Sequence, residues 1–236
     1  MAIDAVPGPI TEIVMNAPPV NALTAAGWHE LARAVRQAGE DPETRVVVLR
    51  AEGRGFNAGV DVKELDADES LMVEVNRGCF AAFAAVYECA VPVIAAVHGH
   101  CLGGGVGLAG NADIVLASEE AYFGLPEVER GALGAATHLA RLVPQHLMRA
   151  MVYTCRTVSA RELHAFGSVL EVTSRDSLRA AAFDLAGRIA AKDPEVIRRA
   201  KESLNGIDPV DVRRSYRFEQ GFTFELSLLG KRRGLA

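Results

Sequence analysis

Three short apolar runs constrain this chain more than any other feature. They are residues 46–49 (Val-Val-Val-Leu), 92–97 (Pro-Val-Ile-Ala-Ala-Val) and 113–117 (Asp-Ile-Val-Leu-Ala). A strand with one wet face alternates apolar and polar side chains. A run without alternation suits a strand covered on both faces, as in a parallel sheet. Between the runs the period changes. Trp28, Leu31, Val35 and Ala38 recur at helical spacing, so residues 24–38 read as an amphipathic helix. Residues 70–89 are helical in composition, 61–65 can begin a short helix, and Ile10–Met15 reads as one more strand, ended by Pro18-Pro19. Strand and helix in repeated order predict an α/β core.

The last third has a different character. Leu178, Ala181, Leu185 and Ile189 form a helical stripe. Asp193-Pro194 is an N-cap followed by proline at the first helical position, and Asn205-Gly206 is a stop. Asp208-Pro209 repeats the start signal, and Val212, Tyr216, Phe222 and Leu226 give a further long helix. The expected division is a core over residues 1–176 and a helical region over 177–236. That region carries Phe218, Phe222, Phe224, Leu226, Leu228 and Leu229, more apolar surface than one helix needs to pack on its own core. A homo-oligomer is the expectation.

Composition excludes several classes of function. Half of the 236 residues are hydrophobic and 23% are charged, which is globular material for one large domain. The longest uncharged apolar-leaning stretch, 89–110, holds Pro92, two histidines and six glycines, so it does not read as a membrane span. Asp4, Pro7, Gly8 and Pro9 interrupt the start, against a signal peptide. The four cysteines show no CxxC pairing, so neither a disulfide framework nor a metal site is expected, and a reducing cytoplasm is the default. A net charge of −5 argues against nucleic acid as a partner. The basic cluster Lys231-Arg232-Arg233 reads as a solvated tail.

Gly105-Val-Gly107-Leu-Ala-Gly110 fits the dinucleotide fingerprint, but its context fails. A crossover to the next parallel strand needs at least about 10–12 residues. Here the run at 113 follows almost at once. Two other loops are more informative. Phe56-Asn-Ala-Gly-Val-Asp-Val-Lys-Glu-Leu65 and His98-Gly-His-Cys-Leu-Gly-Gly-Gly105 each place small residues where a strand gives way to a helix. Small residues admit a ligand close to the backbone, and free N–H groups at helix starts can converge on one oxygen.

With Phe123-Gly-Leu-Pro-Glu127 following them, these loops resemble the crotonase superfamily, the enoyl-CoA hydratase/isomerase fold. The matching stretches are Pro19-Val-Asn-Ala-Leu23, Gly55-Phe-Asn-Ala-Gly-Val-Asp-Val-Lys-Glu64, Pro92-Val-Ile-Ala-Ala-Val97, Leu102-Gly-Gly-Gly105, Ala112-Asp-Ile114 and Phe123-Gly-Leu-Pro-Glu127. They occur in family order across nearly the whole chain. The resemblance implies a spiral of ββα units with a helical C-terminal trimerisation region, hence a trimer or a dimer of trimers. It implies an acyl-CoA thioester as substrate, with coenzyme A arriving as part of it and no cofactor bound permanently. The N–H groups of Val60 and Gly104 would hold the thioester oxygen, and Ala22, Ala58, Gly59, Asp61, Val62 and Gly103 would line the substrate and CoA site.

The chain departs from the hydratase pattern at one position. Hydratases of the family carry two glutamates; this chain matches one with Glu127 and places Gly107 at the other. Adding water across C=C asks for a base and an acid, work that two carboxylates share. One carboxylate suffices to activate a single water or shuttle a single proton. Gly107 is also expected to open space in the pocket. Further stretches, among them Asn76-Arg-Gly-Cys-Phe-Ala-Ala-Phe83 and Ser215-Tyr-Arg-Phe-Glu-Gln-Gly-Phe-Thr-Phe-Glu225, look like an actinobacterial branch of the superfamily. At least one member of that branch opens a ring of a bicyclic keto CoA thioester in sterol breakdown. The favoured expectation is therefore hydrolytic C–C cleavage through a thioester enolate. The alternatives are an enoyl-CoA isomerase or hydratase with one glutamate, and a non-catalytic acyl-CoA scaffold. The ending Gly230-Lys-Arg-Arg-Gly-Leu-Ala236 replaces a charged helix that family members carry there, which puts CoA contacts at that end in question.

Other candidates have simpler readings. Asp61 is expected to cap a helix. Glu129 and Arg130 form either a surface ion pair or a polar wall that aims the water. His98, His100 and His138 read as satisfied structural histidines, and Cys101 as a small packing residue. Trp28, Tyr87 and the Phe218/Phe222/Phe224 group read as core or interface aromatics.

Overall fold

The computed structural model describes residues 2–231. Arg232 and Arg233 of the basic cluster, and the end of the divergent tail, lie outside the described residues. The first half builds β1 (Ile3–Val6), β2 (Ile10–Met15), α1 (Ala25–Glu40), β3 (Val46–Ala51), α2 (Val62–Ala67) and α3 (Met72–Glu88). Then come β4 (Val93–Val97), β5 (His100–Leu102), α4 (Gly104–Asn111), β6 (Ile114–Ser118) and β7 (Tyr122–Gly124). The second half runs α5 (Ala136–Leu139), α6 (Gln145–Thr154), β8 (Val158–Ser159), α7 (Ala160–Ala165), β9 (Glu171–Thr173), α8 (Arg175–Ala190), α9 (Pro194–Gly206) and α10 (Val212–Leu228).

One sheet has the order β1-β2-β3-β4-β6-β9 and a smaller one the order β5-β7-β8. From β2 to β9 the large sheet is parallel, with Val47 opposite Val93 and Ile94 opposite Ile114. Each turn of the chain lays a strand in the large sheet and a short extended piece in the small layer, then a helix. Thus β4 leads to β5 and α4, and β3 leads to Asn57, bridged to Cys101, and then to α2 and α3. This is a stack of ββα units.

The apolar runs divide their side chains between two cores. Val47, Leu49, Val93, Ala95, Val97, Val115 and Ala117 join Trp28, Leu31 and Phe83 on one side. Val46, Val48, Ile94, Ala96 and Leu116 meet Leu178, Ala182 and Ala186 of α8 on the other. Full burial of a side chain such as Leu178 stabilises by about 1.5–3 kcal/mol. Helix α8 thus covers the sheet's second face. The run at 105–110 lies inside α4, where its glycines serve packing. A Cβ at Gly105 would lie 2.5 Å from the Asn57 carbonyl oxygen, and one at Gly110 would lie 2.4 Å from that of His138.

Sequence reasoning passed over the short elements β1, β5, β7, β8 and β9. Pieces of two to four residues are too short to show a period. They are strands because neighbouring backbone pairs with them.

Candidate active site

A cavity of about 370 Å³ lies where the two glycine loops meet α3, α10 and the segment after β7. Among its lining residues are Ala22, Ala58, Gly59, Val60, Asp61, Val62, Gly103, Gly104, Glu127 and Arg130. The structure thus brings together the sequence-expected positions of both loops and the carboxylate. Gly107 and Glu129 do not line it.

The geometry of the first loop follows from a single bridge. Leu23 donates its N–H to the Gly59 carbonyl (2.9 Å) and accepts from the Asp61 N–H (2.9 Å). In a parallel bridge the residue between those two partners turns its own amide the opposite way. That residue is Val60. Gly59 holds φ +86°, and a Cβ on it would lie 3.1 Å from the Gly104 nitrogen. Gly103 sits at φ 54°, ψ −114°, a region open essentially to glycine. Gly104 opens α4, so its N–H has no acceptor within the helix. Val60 and Gly104 both line the cavity, and the N–H of neither meets a protein acceptor among the described residues. Trp28 supports this corner, its ring edge 2.6 Å from where a Gly104 Cβ would stand.

Two asparagines hold the first loop. Asn57 is fully buried; its Oδ1 accepts from the Gly59 N–H (2.8 Å) and its Nδ2 donates to the Asn21 carbonyl (2.6 Å). Asn21 Nδ2 donates in turn to the carbonyls of Glu52 (2.7 Å) and Gly55 (2.8 Å). Sequence reasoning named neither as a site residue, although both sit inside matched motifs. Asp61 caps α2, accepting from the Lys63 N–H at 3.0 Å, as expected.

Glu127 starts the short 3₁₀ turn Glu127–Arg130 after β7. The residue keeps partial exposure, but its Oε2 is sealed and meets no hydrogen-bond partner. Its Oε1 lies 2.5 Å from where a Gly103 Cβ would stand, so only glycine at 103 leaves room for the carboxyl. Burial pushes the pKa up to about 8, reinforced by the charge of Glu219 and opposed by its own backbone amide and by Arg130. A carboxyl so placed can receive and return a proton near neutral pH.

Three expectations need correction. Gly107 opens no space in the cavity: a Cβ there would lie 2.3 Å from the Phe83 ring, which fills the volume a second carboxylate would take. Glu129 is exposed and stands outside the cavity that Arg130 lines. His138 is buried with neither ring nitrogen hydrogen-bonded, so it is not satisfied; it packs against Phe83 and Tyr216, and burial lowers its pKa to about 3. The other two histidines are satisfied, His98 on the Gly53 carbonyl (3.0 Å) and His100 on that of Val20 (2.9 Å). No group of three His, Cys, Asp or Glu among the described residues could hold a metal ion.

The far wall of the cavity was not read from the sequence. Asn76, Cys79 and Phe83 come from α3, and Tyr216 and Thr223 from α10. Burial pushes the Cys79 thiol well up, so it stays neutral. The available signal was the spacing of Tyr216, Glu219, Gln220 and Thr223, a polar stripe at core-facing positions of a helix.

Comparison with known proteins agrees with this geometry. Residues 6–222 match the enoyl-CoA hydratase/isomerase family model. The chain is 63% identical over 223 residues to a (7aS)-7a-methyl-1,5-dioxo-2,3,5,6,7,7a-hexahydro-1H-indene-carboxyl-CoA hydrolase of Rhodococcus jostii (strain RHA1), covering 94% of this chain and 86% of that protein. It is equally identical, over 94% of this chain and 90% of the relative, to the hydrolase of the same name from Mycobacterium tuberculosis (strain ATCC 25618 / H37Rv). Among solved structures, an enoyl-CoA hydratase/isomerase from Xanthobacter autotrophicus Py2 superposes with a TM-score of 0.89 at 27% identity, covering 98% of this chain and 88% of that one. The chain belongs to the enoyl-CoA hydratase/isomerase family, the crotonase superfamily, whose substrates are CoA thioesters.

Proposed function

We propose that this enzyme opens a ring of a bicyclic keto acyl-CoA thioester by hydrolytic C–C cleavage, as a step of sterol or lipid catabolism. The observation that carries the reading is 63% identity, over most of both chains, to two hydrolases of such a diketone thioester. The Glu127 carboxyl, its Oε2 sealed in the cavity without a partner, supports it.

The substrate named for those relatives has ketones at ring positions 1 and 5, a quaternary carbon at 7a and, by its hydro prefixes, one remaining ring double bond. On such a molecule, ionised Glu127 takes a proton from water as the oxygen adds to the ketone carbon beside the quaternary centre. The bond between those two carbons then breaks. The ketone carbon becomes a carboxylic acid, and the electron pair passes through the ring double bond to the thioester oxygen. The amides of Val60 and Gly104 receive that charge. Donors already aimed at a developing oxyanion are worth most here, because they need no reorganisation. Glu127 then returns the proton to carbon. One water is added, one ring is lost and the thioester survives.

In this reading Ala22, Ala58, Gly59, Asp61, Val62 and Gly103 border the thioester and CoA. Coenzyme A comes and goes with the substrate, and no other cofactor takes part. Phe83 replaces the second carboxylate of a hydratase with an apolar face suited to fused rings. The assembly proposed is a homo-oligomer, a trimer or a dimer of trimers, and the setting is cytoplasmic. No helix of the described residues is long and apolar enough to cross a membrane.

The test is incubation with the bicyclic diketone CoA thioester and, separately, with crotonyl-CoA, read by mass spectrometry. The expected result is one water added to the first and none to the second. Hydration of crotonyl-CoA with the diketone left intact would assign a hydratase instead.

A further inference from the structure

The inner face of α10 carries four polar residues at helical spacing, Tyr216, Gln220 and Thr223 buried and Glu219 half-buried. Burying polar groups costs free energy unless each finds a partner, so the use of each matters. Glu219 accepts the amides of Ala136 (2.9 Å) and Thr137 (3.2 Å). Thr223 Oγ1 donates to the Leu133 carbonyl (2.5 Å) and accepts from the Leu133 N–H (3.2 Å). Gln220 Nε2 donates to the Asn76 carbonyl (2.8 Å), and its Oε1 accepts from Arg217 (3.0 Å). These three fasten α10 to the cavity wall.

Tyr216 differs. Its ring is held between Phe83 (centroids 5.2 Å apart) and His138 (4.8 Å), and it forms part of the cavity wall. No protein group among the described residues accepts the phenolic proton, and Gln220 is held by Asn76 and Arg217. Burial holds its pKa well above the usual value, so the proton stays on.

The ring-opening reading asks for two anion sites. The loop amides serve the thioester oxygen, but the ketone oxygen also becomes negative when water adds. The cavity offers few donors for it. Asn76 Nδ2 is committed to the Met72 carbonyl (2.9 Å), Thr223 to Leu133, and Lys63 is exposed at the rim. Arg130 shares the turn of Glu127. We propose that the Tyr216 hydroxyl is a catalytic hydrogen-bond donor to the ring ketone oxygen, stabilising the tetrahedral adduct that precedes C–C cleavage. The proposal rests on the ring-opening reading and adds to it a residue from the C-terminal helix.

The experiment compares wild type, Tyr216→Phe and Arg130→Met on the bicyclic diketone thioester. Butyryl-CoA, which has no ring ketone, is the binding probe. Loss of one oxyanion donor costs about 10²–10³ in kcat. The expected result is a fall of that size in kcat for Tyr216→Phe, with the butyryl-CoA Kd within about twofold of wild type. The proposal is overturned if Tyr216→Phe keeps more than a tenth of wild-type kcat, if its butyryl-CoA affinity falls in step with kcat, or if only Arg130→Met shows the loss. Wild type that leaves the diketone intact would instead refute the ring-opening reading itself.

Discussion

Glu127 is held where an ionised carboxylate is disfavoured. With a pKa pushed from 4.5 to about 8, the folded enzyme binds a proton in that interval that the unfolded chain has released. Its contribution to stability is complete below about 4.5 and is lost as pH rises through about 8. Glu127→Gln should therefore melt higher than wild type at pH 9, with the gap closing toward pH 5. The same substitution removes the base and should lower kcat by about 10²–10⁴. In wild type kcat/KM should climb about tenfold per pH unit below 8 and level off above it, because the base must be ionised. A profile that falls above pH 8 would make Glu127 an acid instead. Gly107 gives a second prediction. The family pattern invites a glutamate there, yet its Cβ would overlap the Phe83 ring. Overpacking of this kind costs about 1–3 kcal/mol. Gly107→Glu should melt several degrees lower, as seen by calorimetry, and gain no crotonyl-CoA hydration. Appearance of hydration would show that Phe83 yields and that the back wall is not fixed. Glu127 was legible because a motif carries it; Phe83 was not, because nothing local to a phenylalanine on a helix tells which glycine its ring will cover.

At the scale of elements, the strands and helices whose period spans a whole turn or run were legible: α1, β3, β4, β6 and the C-terminal helices. The short strands of the small sheet were not, because pairing defines them. Both glycine loops were legible as sites, since glycine at a strand-to-helix junction marks close backbone approach. What holds the first loop was hidden in the same letters. Asn57 fixes the Gly59 amide and reaches the Asn21 carbonyl, so it positions Val60 without touching substrate. Leaving such buried partners unmet costs about 1–3 kcal/mol. Asn57→Ala should lower kcat/KM by about 5- to 150-fold while Glu127 keeps its pH profile. An unchanged kcat/KM would show that the loop holds its shape through the Leu23 bridge alone. The sequence of helix α10 suggests an oligomerisation surface; its inner face also lines the cavity, a use signalled only by polar residues at core-facing spacing.

For the molecule as a whole, the outer faces of the last helices remain uncovered. Phe218 is 71% exposed and Leu204 62%, with Val196, Ile207, Leu228 and Leu229 also exposed. Scattered exposed apolar residues are ordinary, but this concentration on α9, α10 and their ends is what supports the proposed homo-oligomer. Light scattering at micromolar concentration should return a multiple of the 25.1 kDa chain mass, three or six. A monomer would contradict it. The central claim is that water enters at a ring ketone and that a carbon–carbon bond, not the thioester, breaks. Turnover of the bicyclic diketone CoA thioester in water enriched in the heavy oxygen isotope tests this directly. The account predicts a product that still carries CoA, has gained one water, and holds the heavy oxygen in a newly formed carboxylate. Release of free CoA, with the heavy oxygen in the acyl carboxylate and both rings intact, would contradict it.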